Sequence, residues 1–496
     1  MPECDVAHGL QLTHWTPSTM GNREETSSAP PSRRDSLAIA STLPVELLQM
    51  IFSYYAEYKD FYVKWCNSRP IWVAVTHVCR RWRAAALSCS SLWTSIDTLR
   101  LAKGWIKAFM ERSEPSLIDV RIDDTTPGIG GGVSVDELIA LFAGCTRLRS
   151  LHIIGGTSIV CKILDVLHTA TQIRSLSLNI SVERSVELPD NLFGGQAPIR
   201  EVCFVVTASY IVAPHWLLRG ITHFTSNQQI PLQILLDTLG QMPVLHSFTL
   251  ERCILNWKGT DAPRDVQIQL PNLMYFTVDV DAGSPIIFAL LHRRLSLPDG
   301  AKRRLHSHLN DDSYASKLWS PSILAIPPSL REVIQAANGL QRIQFSGGSR
   351  VGSFRLWTGD MGYEEAKLSL EFSWDFSNSK RKASPVSDLA ALCGLLRVER
   401  ARILTLLMNS EDPIGLGKSF WWTLLRKLPS VEVLELCPDA VRELHYARRE
   451  GGVPPVFPEL RGLRVVRAAN STVSTTSDLT EMTEDLMRIL QGEAKH

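Results

Sequence analysis

The sequence carries almost no charge imbalance: 52 Lys and Arg stand against 51 Asp and Glu, a formal net charge of +1. A protein built mainly to grip nucleic acid or an anionic membrane shows a basic excess, so neither partner is expected. Ten cysteines are scattered without one Cys-x-x-Cys and without a Cys/His cluster at zinc spacing, which argues against the common zinc modules. Several lie in apolar runs, as Cys203 does between Val202 and Phe204, where a reduced thiol packs as a small hydrophobe. No run of 18 apolar residues exists, so no membrane-spanning helix is expected. The polar N-terminus has no apolar signal core, so the Asn-x-Ser/Thr triplets at Asn179 and Asn470 carry little meaning. These absences predict an intracellular protein, cytoplasmic or nuclear, without a metal site.

Catalytic signatures are also scarce. Gly128, Gly130, Gly131 and Gly132 follow a possible strand, but a dinucleotide-binding turn needs another glycine where Val133 stands. Neither a phosphate-binding loop nor a His-Glu-x-x-His helix occurs, and Gly347 to Val351 lacks the last glycine of a nucleophile elbow. The adjacent pairs Asp123-Asp124, Asp311-Asp312 and Glu364-Glu365 suit solvated loops. His306 and His308 sit in a basic stretch from Lys302, which reads as a solvated insertion, or as a nuclear-import or partner patch. The chain is therefore expected not to be an enzyme. A hidden α/β enzyme would betray itself by a deep pocket of polar groups with perturbed pKa values.

What is present begins after a tail. Residues 1–40 are rich in Ser, Thr, Pro and charge and are expected to be disordered, because they cannot bury enough apolar surface to offset ordering entropy. Ser32 and Ser36 flank basic residues there as weak phosphorylation candidates. Thr42 can then start a helix, with Glu46 in its first turn and Leu47, Leu48, Ile51 and Phe52 along one stripe. After a stretch of mixed polarity, Trp72, Val75, Val78, Cys79, Trp82 and Ala86 recur at spacings of three and four, which predicts a second amphipathic helix with Arg80, Arg81 and Arg83 mostly off its stripe. Leu92, Trp93 and Ile96 suggest a third short element.

From about residue 100 one frame recurs. Met242-Pro-Val-Leu245-His-Ser-Phe248-Thr-Leu250 returns at Leu270–Val278, Leu428–Leu436 and Phe457–Val465, and without the proline at Leu148–Ile153, Ile173–Leu178, Ile199–Phe204 and Leu340–Phe345. Its last residues alternate as a strand buried on one face does, and its proline ends a preceding helix. Successive copies lie roughly 22–30 residues apart, which is the spacing of a solenoid of strand–helix units. The frame resembles the leucine-rich repeat, L-x-x-L-x-L-x-x-N/C-x-L, in full only at Leu245-His-Ser-Phe248-Thr-Leu250-Glu-Arg-Cys253-Ile-Leu255. The amphipathic stretch Ser477 to Leu490 is expected to cap the array.

The segment around Cys79 admits a nucleic-acid helix, a reactive thiol, a plain helical hairpin or a partner-binding pair. Leu43-Pro44-x-Glu46-Leu47-Leu48-x-x-Ile51-Phe52, then Val78-Cys79-Arg80-Arg81-Trp82-Arg83-x-x-Ala86-Leu87, then Leu92-Trp93, resembles an F-box, and the layout with repeats behind it resembles fungal F-box proteins. The connection between the first two blocks is longer than the family's usual one. The resemblance implies a small helical module that docks on a Skp-type adaptor, through which it reaches a cullin–RING ubiquitin ligase of the SCF type; the transfer chemistry belongs to other subunits, so no cofactor is expected in this chain. It implies adaptor contacts at Leu43, Pro44, Leu47, Leu48, Ile51, Phe52, Val78, Cys79, Trp82, Leu87, Leu92 and Trp93.

The expected fold is thus α/β. A helical F-box module at 41–97 is followed by an irregular leucine-rich-repeat-like solenoid at 98–490, with an irregular insertion near 285–335. The expected role is substrate receptor of the ligase, with the repeats holding an unknown target protein. The competing expectation is a repeat scaffold that binds proteins without a ligase link.

Overall fold

A computed structural model describes residues 42–60, 71–99, 101–125, 133–181, 185–207, 209–251, 267–281, 291, 293–310, 340–347, 351–359, 362–375, 398–408, 425–449, 457–466 and 476–491. The 1–40 tail, the Gly128–Gly132 turn and Cys4, Cys66, Cys253 and Cys393 lie outside these. The chain is mixed α/β and divides into two compact units, the described residues up to Cys89 and those from Ser90 onward.

The first unit is helical. Helix α1, Val45–Asp60, opens directly after Pro44, whose carbonyl accepts the first ladder bond from Leu48 N at 3.1 Å. The expected single helix from Trp72 to Ala86 is corrected to two: a 3₁₀ helix, Ile71–His77, and helix α2, Arg80–Ser88. The break has a local cause. Val73, Val75, Thr76 and Val78 are β-branched and stiff in a helix, and Thr76 Oγ1 bonds back to the Val73 carbonyl at 2.7 Å. Cys79 is then extended (φ −157°, ψ 169°) and caps α2, its Sγ accepting from Trp82 N at 3.5 Å.

The second unit is built on strands. In chain order these are β1 Ser95–Asp97, β2 Ile118–Asp123, β3 Leu148–Gly156, β4 Ser175–Ser181, β5 Val186–Glu187, β6 Glu201–Val206, β7 Ile211–Val212, β8 His223–Asn227, β9 Ser247–Glu251, β10 Ile268–Gln269, β11 Tyr275–Asp281, β12 Leu295–Ser296, β13 Lys302–Asn310, β14 Arg342–Gly347, β15 Val351–Trp357, β16 Leu368–Asp375, β17 Ile403–Met408, β18 Val433–Leu436 and β19 Gly462–Val465. Fifteen of them form one sheet in the order β1-β2-β3-β4-β6-β8-β9-β11-β13-β16-β15-β14-β17-β18-β19. Pairing is parallel throughout except at β14–β15 and β15–β16, which are antiparallel. The meander β14-β15-β16 therefore sits in reversed order between β13 and β17. The remaining pairs, β5–β7 and β10–β12, are small parallel ladders.

Every copy of the recurring frame lands on a strand of the large sheet. Leu151, Leu176, Val202, Phe224, Phe248 and Phe276 stand in one register row on its apolar face. All six are buried. Phe224, Phe248 and Phe276 stack with centroids 5.9 Å apart, a spacing favourable for aromatic pairs. Helices Val135–Phe142, Thr157–Val166 and Leu232–Gly240 follow strands and bury their apolar sides. Parallel pairing demands such crossovers.

A second expectation is overturned. The stretch from Lys302 to His308 is no solvated insertion but lies in β13, paired to β11 and β16. Leu305 points into the core while Arg304 and His306 alternate to the polar face. The rest of the expected 285–335 insertion falls mainly outside the described residues.

Candidate functional site

Helix α1 is apolar on two sides. Leu48 and Phe52 are buried at 0% and 1% exposure. The Phe52 ring meets Trp82 of α2 at 5.2 Å between centroids, and Ala85 and Ala86 lie buried on α2. Gln49 Nε2 donates to the Ala85 carbonyl at 3.4 Å and to Ser88 Oγ at 3.3 Å, and Arg81 donates to the Leu43 carbonyl. These bonds fix α1 against α2.

The opposite side of α1 faces out. Leu47, Met50, Ile51 and Tyr54 are 44%, 67%, 49% and 69% exposed there; Val45, in the first turn and off this face, is 40% exposed. Leu47, Met50, Ile51 and Tyr54 follow one another at helical spacing, so they share a face. Val78, just before α2, is exposed too. Scattered exposed apolar residues need no explanation, but several on one helix face mark a surface meant to be covered. Covering the exposed part of each side chain releases on the order of 1 kcal/mol. Arg80, Arg81 and Arg83 are exposed on α2.

The residues expected to touch an adaptor therefore separate. Leu47, Ile51, Val78, Pro44 and Leu87 are exposed, and Leu43 is half-buried. Leu48 and Phe52 are core, with Trp82 half-buried against Phe52. Leu92 and Trp93 belong to the second unit, where Trp93 is 1% exposed, meets Phe109 at 5.1 Å and lies 4.5 Å under the Arg112 guanidinium. Cys79, expected on the apolar stripe, is exposed as a helix cap. Met50 and Tyr54 are additions on that face. The i+3 spacing of Met50 from Leu47 and of Tyr54 from Ile51 was the available signal, hidden because the buried stripe Leu48–Phe52 runs beside it.

The polar face of the sheet is the other broad surface. In its first half small groups line up in register: His152, Ser177, Cys203, Thr225, Thr249 and Thr277. His152 Nδ1 lies 2.7 Å from Ser177 Oγ, and burial, helped by the Arg121 charge, holds the imidazole below its ordinary pKa. Burial pushes the Cys145, Cys161 and Cys203 thiols up, which keeps them protonated and unreactive. In the second half the row becomes charged: Glu251, Asp279, His306, Glu371, Arg355, Gln344, Thr405, Glu435 and Arg464. His306 Nε2 lies 3.1 Å from Ser373 Oγ and Nδ1 3.8 Å from Asp279. That is the order of a nucleophile relay, but 3.8 Å exceeds hydrogen-bond length, so the carboxylate does not lock the imidazole as such a relay requires. Among the described residues no cluster of three metal-competent side chains occurs, and no helix is long and apolar enough to cross a membrane.

Residues 40–98 match the family model described as F-box-like. The chain thus carries an F-box-like domain, a kind of domain that generally binds Skp-type adaptors of SCF ubiquitin ligases. No curated protein matches the chain.

Proposed function

We propose that this protein is a substrate-recognition subunit of an SCF-type cullin–RING ubiquitin ligase. The observation that carries the reading is the outward apolar face of α1 (Leu47, Met50, Ile51 and Tyr54) inside the segment that matches the F-box-like model. That face docks on the Skp-type adaptor, with Val78 beside it and the α2 arginines as a polar rim. The strand–helix units of the second unit act as a leucine-rich-repeat-like solenoid, and their polar sheet face holds the target protein. The chain itself performs no catalysis and needs no cofactor. Neither nucleic acid nor a membrane is a partner, and the protein works inside the cell.

Co-expression with a Skp-type adaptor tests this. The intact chain is expected to co-purify with the adaptor, and the Leu47→Ala/Ile51→Ala variant to lose it while keeping its circular dichroism. A wild-type chain that emerges alone would leave the scaffold reading in its place.

A further inference from the structure

The sheet meets an irregularity where its polarity reverses. Between β15 and β16, residues 358–367 link Trp357 to Leu368, although an antiparallel pair can be closed by two to five residues. Thr358 and Leu368 extend the ladder by one pair (Thr358 N to Leu368 O, 3.1 Å). Gly359 turns the chain at φ +79°, and the segment Tyr363–Glu365 forms a short 3₁₀ turn.

That turn lies on the polar face. The Tyr363 ring meets Trp357 edge-on at 5.7 Å and lies 5.2 Å from the Arg355 guanidinium. Arg355 Nε holds Glu371 at 2.8 Å. The Arg342 guanidinium sits 5.5 Å from the Trp357 ring. Beside them Arg304 pairs with the Glu364 carboxylate and donates to the Glu364 carbonyl at 2.5 Å, to which Lys302 Nζ also donates at 3.3 Å. Trp357 is on the side of the sheet opposite Leu356, yet only 4% of it is exposed. Aromatic planes bracketed by arginines, next to a further arginine and a lysine, bind an aromatic residue followed by a carboxylate. Tyr363–Glu364 has that chemistry.

We propose that Arg304, Lys302, Arg355 and Trp357 form a recognition site for a target-protein segment in which an aromatic residue is followed by an acidic one, and that the chain's own Tyr363–Glu364 occupies it. The proposal rests on the substrate-receptor reading and names the class of segment that the receptor takes. A tethered occupant competes at an effective concentration near the millimolar range, so a target segment binds by displacing it.

The test uses the full chain and a fluorescein-labelled peptide copying residues 359–367, with a control peptide in which Tyr and both Glu are Ser. Tyr363→Ser/Glu364→Ser is expected to bind the copy peptide about tenfold or more tightly than wild type. Glu364→Gln, which alters one exposed carboxylate and spares the ring, is expected to gain about threefold. Arg304→Ala added to either variant should cancel the gain, and the control peptide should stay unbound. Equal affinity of wild type and Glu364→Gln, or binding that survives Arg304→Ala, overturns the proposal even if the double variant does not fold. A short single-stranded RNA competing as well as the peptide overturns it too, because the site would then read charge alone. Adaptor co-purification is scored on the same samples. Adaptor retained with no peptide gain removes only this site, whereas a wild type without adaptor removes the receptor reading.

Discussion

Leu47 and Leu48 are adjacent in α1, yet Leu47 is 44% exposed and Leu48 fully buried. Substituting each by Ala separates holding the module from gripping a partner. Leu48→Ala removes buried methyl groups beside a close-packed interface and is expected to cost about 2–5 kcal/mol. Leu47→Ala is expected to change stability by about 0.5 kcal/mol or less while weakening adaptor binding. Denaturant melts paired with adaptor titrations check both; equal destabilisation by the two would mean that α1 does not divide as described. His152 gives a second residue-level expectation. Its folded pKa is depressed by burial from an ordinary value of 6.5. The unfolded chain then binds more protons, so the contribution is fully present above pH 6.5 and is lost as pH falls through the folded pKa. His152→Gln should flatten that part of the stability–pH curve below pH 6.5, measured by thermal melts across buffers; an unchanged slope would show that other groups set it.

At the scale of elements, the short block Leu92-Trp93-x-x-Ile96 does its packing in the second unit. Ile96 pairs with Val120 in register, and Trp93 closes on Phe109 and Arg112. Trp93→Ala is therefore expected to cost about 3–5 kcal/mol in the sheet's unfolding transition and to leave adaptor affinity unchanged once the protein is folded. Loss of adaptor binding with an unaltered melt would return Trp93 to the docking surface. The recurring frame made most strands legible, because each parallel strand needs the same buried Leu or Ile at its entry and the same alternation after it. Where that entry changes, the pattern fails. Strands β15 and β16 arrive through antiparallel links rather than crossovers, so they lack the lead-in and carry only alternation. Strand β13 was concealed by its basic residues: Arg304 and His306 lie on the polar face, where charge is tolerated, but in sequence the run resembles a solvated loop. The exposed apolar face of α1 was legible as a set of residue types and not as a division, since burial depends on which side α2 covers.

For the sheet as a whole, stability depends on covering the buried face along its last strands. Strand β19 pairs on one side with β18, and helix Thr476–Leu490 packs on β19 and on helix Pro438–Arg449. Leu479, Leu486, Ile489 and Leu490 of that helix are buried. Its end is tied in by Phe457 N donating to the Leu490 carbonyl at 2.8 Å and Gln491 Nε2 to the Leu460 carbonyl at 3.1 Å. Each such side chain contributes about 1.5–3 kcal/mol on burial, so four together rival the 5–15 kcal/mol margin of a typical domain. Deleting residues 476–496 would uncover apolar surface on helix Pro438–Arg449 and around Leu460 beside the edge strand β19, and an exposed apolar edge pairs with other chains. The truncated protein is expected to run as aggregate on size-exclusion chromatography, whereas Leu486→Ala/Ile489→Ala should remain monomeric but melt earlier. A truncated chain that stays monomeric with an unchanged melt would mean that the last strands are covered by something other than this helix.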